Sequence, residues 1–150
     1  MRIVSMVVVA AGIALACSAC SANAGLLSAT RSVIAVLAGD LFVGEAEGHL
    51  DGAGTLAIHS QKIPALTCQG QFTSSAELGG SGEMHCSDGA TATFHFQRLG
   101  LFSGHGSGRH SRGEMSFAYG LTSEEAAPYL KLPVGKMLTP DGTEPRLIDL

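Results

Sequence analysis

The chain has 150 residues, with 20 Gly, 5% aromatic residues and no Trp. This length fits one domain, and the composition suits short strands joined by tight turns better than a large helical core. The 13 Asp and Glu residues against 9 Lys and Arg give a formal net charge of −4, which argues against general nucleic-acid binding.

Residues 1–24 have the organisation of a bacterial signal peptide. Arg2 supplies a positive charge, and residues 3–16 form an apolar stretch that is shorter than a typical membrane-spanning helix. A membrane anchor is the alternative interpretation. We expect export to the periplasm or outer membrane, with residues 25–150 forming a single β domain.

Two processing routes are open. Residues 22–24, Ala-Asn-Ala, form a small-x-small cleavage site before Gly25. Residues 14–17, Ala-Leu-Ala-Cys, resemble the lipobox of bacterial lipoproteins, and lipidation at Cys17 or Cys20 would anchor the protein to the outer membrane. Cleavage after residue 24, or lipidation at Cys20, leaves one pair of Cys residues in the exported chain. An even number suits an oxidising compartment and slightly favours these two routes.

Strand-like runs alternate with Gly-containing turns along the exported part. The runs cover residues 32–37, 41–47, 55–60, 66–73, 82–86, 91–97 and 115–119. They predict an all-β antiparallel meander that forms a small rolled sheet or barrel. Residues 122–125, Thr-Ser-Glu-Glu, match a capping box that starts one short C-terminal helical turn. From about residue 132 we expect a Pro-rich strap that is ordered at first and then frays.

The hydrophobic pattern fixes the register of a central hairpin. Residues 66–73 and 82–86 alternate between apolar and polar side chains, so each strand has one apolar face. Folding the chain about Glu77 places Cys68 opposite Cys86 on that face. Facing residues of an antiparallel pair have Cα atoms about 4.5–5.5 Å apart, which is within the range of a disulfide. The sequence therefore predicts a Cys68–Cys86 bond.

The polar face of the same strands carries a candidate metal site. A three-residue loop centred on Gly89 sets Glu83 opposite His95, with His85 one pleat away. Imidazole and carboxylate ligands together suit Zn or Cu. The alternative is a solvated sheet face with weak cross-strand pairs, and we expect this alternative. We predict no catalytic residues and no cofactor, with metal binding or enzymatic use of this face as the second hypothesis.

Residues 104–109, Gly-His-Gly-Ser-Gly-Arg, look like a phosphate-binding loop. They lack the Lys-Ser/Thr ending and the strand-to-helix context of that motif, so we expect a flexible hairpin loop. The same part of the chain is locally basic and is either a solvated loop or a contact for an anionic envelope polymer. Its basic residues are Arg98, His105, Arg109, His110 and Arg112.

Three strings carry a resemblance to a known family. They are AGDLFVGEAEGHLDG at residues 38–52, YGLT at residues 119–122 and PYLKLPVGK at residues 128–136. The strings resemble a family of small exported proteobacterial envelope proteins of unknown function. The resemblance implies export and a single domain, and it transfers no activity and no site residues. We therefore expect a binding or structural module of the envelope that is not an enzyme.

Overall fold

The computed structural model describes residues 28–75, 77–141 and 144–150. The predicted signal peptide and its candidate lipidation sites, Cys17 and Cys20, lie outside the described residues. No helix in the described part of the chain is long and apolar enough to cross a membrane.

Eight antiparallel strands form a closed barrel in which each strand pairs with the next and the last pairs with the first. The predicted all-β meander is confirmed, and closure leaves no free sheet edge in the barrel. The strands are β1 (Ser28–Leu37), β2 (Asp40–His49), β3 (Ala53–Ser60), β4 (Thr67–Ser75), β5 (Gly79–Cys86), β6 (Thr91–Arg98), β7 (Gly104–His110) and β8 (Gly113–Tyr119).

A C-terminal segment covers part of the barrel's outer surface. It contains the short helix α1 (Ser123–Ala126), a 3-10 turn (Ala127–Tyr129) and a hairpin of β9 (Lys136–Asp141) and β10 (Glu144–Asp149). The predicted capping box is present, because the Thr122 hydroxyl accepts the Glu125 N–H and the Glu125 carboxylate accepts the Thr122 N–H. The Thr122 N–H and hydroxyl both donate to the Glu125 carboxylate, and these two bonds hold the pKa of Glu125 below its ordinary value.

The molecule has two hydrophobic cores, one on each side of the barrel wall. The inner core includes Val33, Phe42, Phe94 and Phe117, and the outer core lies between β1, β2, β8 and the C-terminal segment. The outer core consists of Ile34, Val36, Leu41, Ala118, Ala126, Leu130 and Leu138, with Leu121, Leu132 and Leu147 packed against it. Among the described residues, those of both cores fall between positions 33 and 147, so a chain that begins at Gly25 contains all of them.

Two predictions about the second half of the chain are wrong. Residues 104–109 belong to strand β7, and the predicted frayed end contains strand β10. In β7 the glycines at 104, 106 and 108 point inward while the polar residues between them point outward. The alternation characteristic of a strand is therefore present, but with glycine where an apolar side chain is usual.

Candidate functional site

The barrel interior is filled at one end and hollow at the other. At the filled end, which we call the closed end, the buried residues are Leu37, Met84 and the bonded pair Cys68 and Cys86, together with the small residues beside them. The predicted disulfide is confirmed, and the two Cys are directly opposite in the β4–β5 register. Interior residues near the other end, such as Leu56 and Phe72, are only partly buried. We call the hollow end, at which β1 begins, the open end.

A cavity of about 570 Å³ occupies the hollow half of the barrel. Its wall is mostly apolar and includes residues from β1, β2, β3, β4, β6 and β8, and it reaches the turns at the open end. Eight strands is the size at which a barrel either fills with side chains or holds one small ligand. The aromatic residues of the wall and the adjoining turn are Phe72, Phe94, Phe96, Phe102, Phe117 and Tyr119.

Glycines on neighbouring strands make room for these rings. A Cβ on Gly106 would stand 2.4 Å from Cζ of Phe117, and one on Gly82 would stand 2.6 Å from Cζ of Phe94. The rings also contact each other edge-to-face, with centroids 5.3 Å apart for Phe94 and Phe117. The rings therefore lie against the wall, which gives the cavity an aromatic lining in fixed orientations.

Arg31 lies at the mouth of the cavity. It shares the inward face of β1 with Val33, and its guanidinium is 4.2 Å from the centre of the Phe102 ring. One of its nitrogens donates to the Thr30 carbonyl. Among the described residues, no carboxylate lies within ion-pair distance of Arg31. Its charge is thus held at the mouth by a cation–π contact and a backbone bond.

Arg98 is the second cation of the mouth. Its guanidinium donates to the carbonyl oxygens of Ser75 and Leu101 and to the Ser74 hydroxyl. These bonds tie β6 to the end of β4 and to the turn before β7. Like Arg31, it has no carboxylate partner in the part of the chain that the structure describes.

Tyr119 provides a neutral donor in the same region. The residue is half-buried, its ring meets Phe96 edge-to-face at 5.9 Å, and its hydroxyl lies over Gly104. Burial raises the pKa of this phenol, and the charge of Arg98 partly opposes the shift. The hydroxyl therefore keeps its proton at neutral pH. Arg31, Arg98 and Tyr119 together present N–H and O–H donors to whatever occupies the mouth.

The sequence-predicted metal site has a different register from the one expected. Glu83 is opposite Thr93, and His95 is opposite Ser81, two residues away from the predicted pairing. All three predicted ligands, Glu83, His85 and His95, are exposed on the outer face. Nowhere in the described residues do three His, Cys, Asp or Glu side chains come close enough to hold a metal ion.

This register error has a structural reason. The turn after β5 brings Met84 opposite Ala92 and Gly82 opposite Phe94. The predicted register would place Met84 opposite Phe94, so that two large side chains face each other inside a narrow barrel. Pairing the Phe94 ring with a glycine removes that conflict. The shift of two residues keeps every side chain on its predicted face.

The basic stretch does not form one patch. Arg98 lies at the mouth, whereas His105 points outward and stacks on Tyr129 at 4.1 Å. Arg109 is exposed on the outer face, and Arg112 forms an ion pair with Asp88 at the closed end. The remaining member, His110, is buried.

Arg31, Tyr119 and the apolar turns of the open end were not predicted from the sequence as parts of a site. The predicted first strand began at residue 32, which left Arg31 outside it. Extending that strand by alternation would have placed Arg31 on the face of Val33. The hollow itself carries no sequence motif, because it arises from glycines and rings on strands far apart in the chain.

Comparison of the chain with protein-family models, with curated protein sequences and with solved structures finds no match. The geometry of the barrel is therefore the basis for a functional proposal.

Proposed function

We propose that the protein is a non-catalytic binding module of the bacterial envelope whose barrel encloses one small amphipathic molecule with an acidic end. The supporting observation is the apolar cavity of about 570 Å³ with two arginines at its mouth. Pockets for small ligands are typically roughly 300–1,000 Å³, with a mainly apolar lining and a few polar groups that fix orientation.

The polar groups at the mouth favour an anion over a cation or a neutral end group. Arg31 and Arg98 have no carboxylate partners among the described residues, and Tyr119 adds a neutral hydroxyl. The nearby Asp51 carboxylate already accepts the Ala53 N–H. Hydrogen bonds from a guanidinium to a carboxylate are among the stronger polar contacts in proteins. A ligand with its carboxylate at the mouth and its apolar chain among the rings fits both the hydrogen-bond donors and the apolar lining.

The first experiment measures binding in solution. A chain that begins at Gly25 is titrated with the neutral dye N-phenyl-1-naphthylamine, whose fluorescence rises in an apolar site, and the dye is then displaced with dodecanoate. We expect one site per chain and displacement by dodecanoate. Absence of dye or dodecanoate binding would contradict the proposal.

A cavity-filling variant tests whether the ligand lies inside the barrel. Ala46 points into the cavity, so Ala46→Leu is expected to weaken dodecanoate binding by about tenfold or more, equivalent to about 1.4 kcal/mol. Ala57 is on the outer face of β3 and is exposed, so Ala57→Leu is the matched control and should leave binding unchanged. Equal effects of the two variants would place the ligand elsewhere.

The acidic end is tested with Arg31, because Arg98 also ties two turns together. Arg31→Gln is expected to weaken dodecanoate about 10–100-fold, the range for losing a charged hydrogen bond, and to change dodecanol binding little. Arg109→Gln, on the exposed face of β7, is the control. If Arg31→Gln weakens the acid and the alcohol equally, the mouth does not select an acidic group.

Export to the envelope has its own test. The intact mass of the protein isolated from the envelope identifies cleavage after residue 24, lipidation at Cys17 or Cys20, or an uncleaved chain. We expect one of the processed forms. A full-length chain in the membrane fraction would favour the anchor interpretation instead.

A further inference from the structure

The exposed large apolar side chains of the barrel are concentrated at its open end. Five of them lie on the three turns that surround the mouth. These residues, which we call the rim, are Leu50 at 81% exposed, Leu78 at 82%, Leu99 at 49%, Leu101 at 75% and Phe102 at 46%. The four turns of the closed end, all of which the structure describes, hold one such residue, Ile63.

The stability of the barrel does not account for this difference between its two ends. Both ends have turns of similar length, and neither the rim nor Ile63 contributes to the inner or outer core. Single exposed apolar residues are normal on a protein surface, but a contiguous group around a cavity marks a surface that contacts a partner. The rim therefore has the composition of a contact surface.

The sequence that precedes the barrel enters at the same end. β1 begins with Ser28 beside the mouth, and the two residues before it in the sequence are Leu26 and Leu27. Any lipid on Cys17 or Cys20 would join the barrel at this end too. An anchor there would bring the rim toward the membrane surface.

We infer that the rim docks on the surface of a lipid bilayer, with the mouth of the cavity facing the membrane. Leucine and phenylalanine side chains can insert at the boundary between headgroups and acyl chains, as in other proteins that lie on membranes. An apolar ring around the mouth gives an amphipathic molecule a path from the bilayer to the cavity with little exposure to water. The docking itself depends on the rim and not on the proposed cavity ligand.

The charges at the open end indicate that this contact is mainly apolar. Arg31 and Arg98 point toward the mouth, and the turns carry the acidic residues Asp51 and Glu77. Positive and negative charges are balanced, so no strong attraction to anionic lipids is expected. Binding should therefore occur on zwitterionic vesicles and should depend little on salt.

Vesicle flotation of the chain that begins at Gly25 tests the docking. The vesicles are made of phosphatidylcholine, or of phosphatidylethanolamine and phosphatidylglycerol, at low and high salt. Replacing Leu50, Leu78 and Leu101 together by Ser is expected to lower the partition coefficient about 100-fold, because each residue loses part of the free energy of apolar burial.

The matched control removes three exposed apolar residues that lie away from the rim. Ile63, Val134 and Leu150 are 54%, 103% and 84% exposed, and their combined replacement by Ser should leave vesicle binding unchanged. Thermal melts of both triple variants check that the fold is retained. No vesicle binding by the parent chain, equal losses in the two triple variants, or binding that vanishes at high salt would overturn the inference.

A fluorescent reporter locates the inserted surface. The chain contains no Trp, so the variants Leu101→Trp and Val134→Trp each report on one position. We expect the emission of the Leu101→Trp variant to shift to the blue on vesicles and to be quenched by brominated lipid. The emission of the Val134→Trp variant should not change. Quenching of the Val134→Trp variant alone would show that another face binds the membrane.

Dye binding in solution separates this inference from the proposed function. A double variant of the two rim leucines that do not line the cavity, Leu78→Ser with Leu99→Ser, should still bind N-phenyl-1-naphthylamine and dodecanoate while it binds vesicles about tenfold more weakly than the parent. A parent chain that binds vesicles but neither dye nor dodecanoate would refute the cavity proposal and leave the docking intact.

Discussion

Gly54 of β3 and Phe72 of β4 are directly opposite each other inside the barrel, and they share one space. A Cβ on Gly54 would stand 2.1 Å from Cζ of Phe72 and 2.6 Å from the Glu47 carbonyl oxygen. The ring lies where the side chain of any other residue at position 54 would begin. This pair shows how a glycine on one strand makes room for an aromatic ring from the next strand inside a narrow barrel.

The first prediction is that Gly54→Ala destabilises the barrel by about 2–3 kcal/mol, because the ring of Phe72 and the backbone of β2 must both move. Gly48, directly opposite Gly54 on β2, is the control. A Cβ there would stand 4.0 Å from the same ring, so Gly48→Ala should change stability by less than about 1 kcal/mol. Urea unfolding of both variants measures the difference. Equal losses would mean that the close approach of Gly54 and Phe72 does not limit position 54.

The second prediction concerns the Cys68–Cys86 bond. Its loop is closed at a sequence separation of 18, and the chain-entropy model gives about 3 kcal/mol for a loop of this length. Dithiothreitol should lower the urea midpoint of the parent protein by the corresponding amount. The double variant Cys68→Ala, Cys86→Ala should not respond to dithiothreitol, which controls for other effects of the reagent. An unchanged midpoint in the reduced parent would show that the bond contributes nothing measurable.

Alternation of apolar and polar residues predicted much of the fold. It gave the register of the β4–β5 hairpin, including the pairing of Cys68 with Cys86, because one face of each strand is continuously apolar. It failed for β7, where the inward positions are Gly104, Gly106 and Gly108. A strand that contributes only backbone to the core has no hydrophobic pattern to detect, since its neighbours' rings supply the packing.

The candidate site was less predictable than the fold. The cavity depends on the positions along the barrel axis of rings from several strands, such as Phe72 and Phe117. Local alternation does not determine these positions. The predicted His95 pairing was wrong by two residues for the same reason. Faces follow from a period of two, whereas register depends on turn length and on which side chains fit opposite each other.

The third prediction concerns the attachment of the C-terminal segment. The Ser116 hydroxyl is buried and accepts the Lys131 N–H at 2.8 Å. Ser116→Ala leaves this N–H without its partner beneath the segment and should cost about 1–2 kcal/mol. Ser107, directly opposite on β7, is exposed, so Ser107→Ala is the matched control and should be nearly neutral. Urea unfolding compares the two, and the hypothesis fails if Ser107→Ala is the more destabilising change.

The last prediction concerns His110, which is buried at the closed end with 2% of its surface exposed. Its Nδ1 accepts the Arg112 N–H at 3.2 Å, and its Nε2 has no hydrogen-bond partner among the described residues. Burial lowers the pKa of this imidazole below its ordinary value of 6.5, and the Arg112 charge lowers it further, while Asp88 opposes the shift. The folded protein therefore holds His110 neutral.

Because the pKa of His110 is lower in the folded state, the neutral imidazole contributes its full stabilisation above pH 6.5. This stabilisation is lost as the pH falls toward the folded-state pKa. Below pH 6.5 the unfolded chain binds a proton at this position before the folded protein does. Three carboxyl groups also have lowered pKa values. Their ordinary values are 3.8 for Asp88 and 4.5 for Glu114 and Glu125, so they change the stability at a lower pH than His110 does.

The free energy of unfolding should therefore fall between about pH 7.5 and about pH 5.5, with a slope of at most about 1.4 kcal/mol per pH unit from one proton. His110→Gln should flatten this dependence whatever its effect on stability at pH 7.5. His95→Gln, on the exposed face of β6, should retain the slope of the parent. Urea unfolding across this pH range measures all three proteins. If His110→Gln keeps the full slope, the neutral buried imidazole is not the origin of the pH dependence.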